Sequence, residues 1–195
     1  MGTRHLIAVY SDGEYKVAQY GQWDGYPDGV GVEVLKFAQS ISNPYFRSVF
    51  KDKVAKCRWI TEDEINERNT RIRNGEIKFW EQEWPELSRD TSYEVLQMIN
   101  DSDEGLALKN DIDFAADGLF CEWAYVLDLD KGTFEVFEGF NKDKPLEPED
   151  RFFFLKDKEE NGYYGVKLKK AYRLDDLPAV ADFKKEFSED EEGDG

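Results

Sequence analysis

The chain has 195 residues, with 43 acidic against 26 basic side chains, a formal net charge of −17 and 15% aromatics. That length can bury a real core, and the aromatic content indicates a folded body. A surface this acidic repels nucleic acid and anionic membrane and favours basic partners, including proteins that themselves bind nucleic acid.

Cys57 and Cys121 make neither a disulfide framework nor a metal-type cluster. The apolar run at residues 6–10 is too short for a signal peptide or a membrane span, so a cytoplasmic setting is expected. Met1 precedes Gly2, and a mature chain starting at Gly2 is expected.

In chain order, residues 6–10 and 15–20 flank Ser11-Asp12-Gly13-Glu14, and Asp-Gly between two apolar runs is a strong hairpin signal. Leu6, Ala8 and Tyr10 alternate with Ile7 and Val9. A strand apolar on both faces is normally covered on both sides. Residues 21–31 then place four glycines, one proline and two aromatics in eleven positions. This is a strand-to-helix turn in which glycine allows unusual backbone angles and Pro27 fixes one. Trp23 and Tyr26 are expected to plug the core edge, Asp24 to hydrogen-bond local backbone, and Asp28 to cap the next helix. An anion-binding loop is the alternative. Against it stand Asp24, Asp28 and a glycine spacing unlike that of the nucleotide fingerprints.

Val34, Leu35, Ala38 and Ile41 recur at helical spacing, and Asn43-Pro44 separates that helix from one through Phe50. Thr61 with Glu64 is a capping box, and so is Thr91 with Glu94. Ile77, Trp80 and Trp84 keep i, i+3, i+7 spacing. Residues 44–110 thus read as a helical insertion. Strands follow at residues 121–128, with Trp123, Tyr125 and Leu127 on one face, and at 133–137. A further strand pair is expected at 151–155 and 163–169. A closing helix carries Val180, Phe183 and Phe187. Residues 1–187 read as one domain, and 188–195 as a disordered acidic tail. The fold class is α+β: strands from both chain ends in one core, in an αββα-like form if two sheets stack, with the helical middle outside.

Candidate chemistry is sparse. His5, the single histidine, could pair with Cys121 if the first and later strands are neighbours. Asp128 and Asp130 before Gly132 depart from a calcium loop in spacing and terminal ligand. Asp101, Asp103, Glu104, Asp111 and Asp113 are read as solvated turn residues rather than a Mg²⁺ site. No metal and no cofactor are expected.

The opening Gly2-Thr3-Arg4-His5-Leu6, the Asp12-Gly13 hairpin, Tyr20-Gly21-Gln22-Trp23-Asp24-Gly25-Tyr26-Pro27 and Glu122-Trp123-Ala124-Tyr125-Val126-Leu127-Asp128-Leu129-Asp130 resemble a family of uncharacterised proteins carried by phages, mobile elements and some fungi. The resemblance covers both ends of the chain more fully than the helical middle. More loosely, the arrangement is similar to N-terminal nucleophile hydrolases. That likeness implies Thr3, Arg4, His5 and Asp24 as catalytic candidates, although Gly2 has no nucleophilic side chain. Two functions follow. One is a non-catalytic acidic protein that inhibits a basic nucleic-acid-binding partner, with the phage resemblance implying a counter-defence, anti-CRISPR-like role. It would bind through Trp23, Asp24, Tyr26, Trp80, Glu81, Glu83 and Trp84, without direct nucleic-acid or membrane contact. The alternative is a hydrolase of N-terminal-nucleophile or metal-assisted type.

Overall fold

The computed structural model describes residues 2–78, 84–159 and 161–188. Its centre is a five-stranded sheet of β1 (His5–Ser11), β2 (Glu14–Gly21), β5 (Trp123–Asp128), β6 (Thr133–Glu138) and β7 (Lys167–Arg173), in the order β2-β1-β5-β6-β7. Only the β1–β5 pairing in this sheet is parallel, with His5 opposite Trp123 and Val9 opposite Leu127. Both chain ends therefore meet at the middle of one sheet. Parallel neighbours need a long crossover, and residues 22–122 supply it. A separate two-residue parallel pair, β3 (Arg58–Trp59) with β4 (Ala107–Leu108), closes that excursion. The class is α+β as expected. The larger sheet stands alone, and no second large sheet stacks on it in the αββα manner among the described residues.

The two faces of β1 enter two different cores. Ile7 and Val9 join Tyr125, Leu127, Phe134 and Val136 beneath the helices. These are α1 (Val32–Ser40), α2 (Pro44–Val54), α4 (Glu94–Asp101) and α5 (Val180–Ser188), which contribute Leu35, Phe50, Leu96 and Phe183 among others. Leu6 and Ala8 join Ala124, Val126, Phe152 and Leu155 on the opposite face. Short 3-10 turns cover that side, at Ile112–Ala116 and Phe153–Lys158. Strand alternation carries Phe137 onto this second face, opposite Phe134 and Val136, and the β6–β7 pairing shifts beside it, with Lys169 of β7 left over between Val136–Lys170 and Phe137–Leu168.

The capping box at Thr61 is present: Glu64 N–H donates to Thr61 Oγ1, and Glu64 Oε2 accepts from Thr61 N–H, at the start of α3 (Glu62–Arg73). No residue of α3 is buried.

Three expectations are corrected. Thr91 does not cap α4. Tyr93 occupies that position, and the Thr91 hydroxyl donates to the Pro85 carbonyl instead. Asp28 lies inside a wide helical turn, Pro27–Gly31, rather than at the helix cap, which is Gly31. The strand pair at 151–155 and 163–169 does not form. The first segment runs into the 3-10 turn, and the strand beside β6 begins at Lys167. Of the helical run expected through Ile77, Trp80 and Trp84, Ile77 and Trp84 are not helical, and Trp80 lies outside the described residues; of the tail expected at 188–195, Ser188 ends α5 and the rest lies outside them.

Candidate functional site

The glycine-rich turn wraps His5. The imidazole is fully buried at the start of β1. A Cβ at Gly21 would run into the His5 ring, and one at Gly25 would stand 2.7 Å from Nδ1. These glycines are therefore required by close approach to a ring. The turn is pinned by Gly25 N–H to the Thr3 carbonyl at 3.0 Å, by Gln22 N–H to the Arg89 carbonyl at 3.2 Å, and by the Tyr125 hydroxyl to the Gly25 carbonyl at 2.8 Å.

His5 Nδ1 faces the Thr3 carbonyl at 3.5 Å, and Nε2 lies 2.6 Å from Ser92 Oγ. A carbonyl only accepts, so Nδ1 carries the proton and Nε2 accepts from the serine hydroxyl. Burial pushes the His5 pKa down to about 4, against a smaller upward pull from the Thr3 carbonyl. Ser92 has φ +48, an uncommon angle for a serine. A ring nitrogen accepting from a serine hydroxyl is also the contact that a general base makes with a nucleophile. Yet the ring has no exposed surface and Ser92 keeps 8%, so the pair locks the start of α4 onto β1. Cys121, the other partner considered for His5, packs in the core of the opposite sheet face, where burial raises its thiol pKa.

Of the remaining hydrolase candidates, Thr3 meets His5 and Gly25 through its carbonyl. Thr3 is 5% exposed. Arg4 lies over the Phe120 ring at 4.3 Å. The Asp24 main-chain carbonyl accepts from Val30 N–H at 3.0 Å, a bond that any residue could make, and its carboxyl group abuts Gly29.

Trp23 and Tyr26 are not core plugs, as they keep 53% and 44% of their surface exposed. The Trp23 ring lies across the Gly2 backbone, and its Nε1–H donates to Asp90 at 3.0 Å. The reason is His5, which fills the space beneath the turn and leaves both larger rings on the rim. Trp84 is stacked by the guanidiniums of Arg68 and Arg71, at 4.6 and 5.5 Å. Trp80, Glu81 and Glu83 lie outside the described residues.

The acidic groups serve local structure. Asp128 Oδ1 accepts from Asp130 and Lys131 N–H, and its Oδ2 accepts from Arg151, which also holds Glu135 at 2.5 Å. Burial opposes the Arg151 charge, and the hydrogen bonds to Glu135 and Asp128 more than offset it. Asp113 pairs with Lys158 at 2.5 Å and Asp103 with Lys53 at 3.5 Å. Among the described residues no cluster of His, Cys, Asp or Glu has metal-site geometry.

A groove of about 580 Å³ runs between α1 and α4. Phe37, Tyr93 and Met98 are its half-buried apolar lining; Glu33, Glu94 and Asp101 supply carboxylates. Lys36, the one cation among its described lining residues, pairs with Glu33 at 2.7 Å, and Asp101 accepts from Gln97 at 2.7 Å. Burial first, then the Glu33 and Glu94 charges, raises the Tyr93 phenol pKa. Of this groove, the helical spacing of Tyr93 with Leu96 and Ile99 marks Tyr93 alone in the sequence. Phe37 and Met98 lie just off the buried stripes of their helices, and an apolar residue at that offset is the signal that could have found them.

No protein-family model, curated protein or solved structure matches this chain. No helix among the described residues is long and apolar enough to cross a membrane.

Proposed function

We propose that this chain is an acidic, non-catalytic binding protein that occupies a basic, nucleic-acid-binding partner and keeps it from its nucleic acid. One observation carries the reading: of the described carboxylates only Asp128 and Glu135 are buried, both held by Arg151, so the excess negative charge faces solvent. Such a surface steers basic partners and repels nucleic acid. Exposed aromatics at Trp23, Tyr26, Tyr45 and Phe46 offer anchors of the kind interfaces use. An anti-CRISPR-like counter-defence role is the form of this reading that the phage resemblance implies. The hydrolase alternative would need Thr3 open to substrate, and Thr3 is covered.

The test is affinity capture from a bacterial lysate at low and high salt, followed by a nucleic-acid-binding assay on whatever is enriched. Enrichment of a basic protein that loses its nucleic acid when this chain is added supports the reading. Capture that ignores salt, or that enriches no basic protein, sinks it.

A further inference from the structure

We infer that the groove between α1 and α4 is the docking site for a basic amphipathic helix of the partner, an inference that rests on the function proposed above. The lining states the chemistry of the guest. Phe37, Tyr93 and Met98 present apolar surface that is half-buried rather than sealed, so it has room for apolar side chains. Methionine and aromatic side chains adapt to such guests, and a groove between two helices is a common seat for a third.

The charges state its polarity. Lys36 is already neutralised by Glu33, which leaves Glu94 and Asp101 on α4 to face the guest. They are seven residues apart, two helical turns, or about 10 Å along the axis. A guest helix with apolar residues at i, i+3, i+4 and i+7, flanked by Lys or Arg two turns apart, matches both the lining and the carboxylates. A second copy of this chain does not, because its net charge of −17 would meet the same sign.

The chain offers a direct probe. It contains two methionines, Met1 and Met98, so methyl-labelled methionine gives one resonance inside the groove. The guest is a synthetic leucine–lysine peptide of about 18 residues, five turns, with leucine on one face. The control has the same composition in an order without an apolar face. Expected is saturable movement of the Met98 methyl signal with the amphipathic peptide and binding at least about tenfold tighter than the control. E94K/D101K replaces two exposed groups and leaves the apolar lining intact. It should weaken binding about tenfold with an unchanged circular dichroism spectrum. Equal, salt-sensitive binding of both peptides with Met98 unmoved would overturn the groove while leaving the acidic-surface reading standing. Failure of both peptides to bind at low salt would overturn both.

Discussion

His5 is held neutral by its surroundings, and that makes it an acid-sensitive point. Its folded pKa of about 4 lies below the ordinary value of 6.5. The unfolded chain therefore binds the proton first. The stabilisation is complete above pH 6.5 and is lost progressively as pH falls from 6.5 to about 4. The full loss is on the order of 3 kcal/mol, since each tenfold change in proton affinity corresponds to about 1.4 kcal/mol. Urea unfolding between pH 7 and 4.5 should show a decline in the native chain that His5→Gln lacks. Parallel declines in the two would show that His5 is not the sensor. Gly21 tests the same contact from the other side. Gly21→Ala should cost about 3 kcal/mol through overpacking against the ring, and much less in a His5→Ala background. Additive losses in a double-mutant cycle would mean the two do not touch. Glycine enrichment in residues 21–31 was legible in the sequence, but its reason was not. The ring that needs those glycines lies 16 positions upstream of Gly21, and Ser92 reaches it from 87 positions downstream.

At the scale of elements, local grammar read well where the signal was local. Thr61 and Glu64 cap α3 through each other, so no distant residue is needed to recognise the motif. Residues 151–155 misled because Phe152-Phe153-Phe154-Leu155 has a strand's composition. Only Phe152 and Leu155 of that run are buried, and spacing of three suits a 3-10 turn lying over the sheet. The true neighbour of β6 is lysine-rich β7, mostly exposed, and edge strands favour such charges because they discourage pairing with other chains. Capping and packing can be separated on α3, which has no buried residue. Thr61→Ala should cost the helix about 1 kcal/mol. Because its opening is local, the loss should appear as amide exchange about fivefold faster in residues 62–73, with the global denaturant midpoint unchanged. A matching drop in that midpoint would show that α3 unfolds with the core.

For the whole molecule, salt should act on folding and on binding in opposite directions. Strands from both chain ends meeting in one core could be read from alternating apolar residues. The layout of charge around that core could not, because it depends on which carboxylates find cations. Several do: Glu64 with Arg58 at 2.6 Å, Asp130 with Lys51 at 3.0 Å, Asp175 with Arg173 at 2.7 Å. With 43 acidic side chains against 26 basic ones, a net charge of −17 is left over however the pairs are made. Exposed pairs are worth little individually, roughly 0–1 kcal/mol. Repulsion among like charges is summed over the surface and opposes compaction. Both are screened over about 10 Å at 0.1 M salt. Repulsion is the larger sum here, so raising sodium chloride from about 0.02 to 0.5 M should stabilise the fold by about 1 kcal/mol, or roughly 2–4 °C in Tm for a chain of this size. Over the same range, binding to the basic amphipathic peptide should weaken, since its attraction is screened while its apolar contacts are not. Scanning calorimetry and peptide titration on one sample series read both trends. A Tm that falls with salt would show that the surface ion pairs outweigh the repulsion.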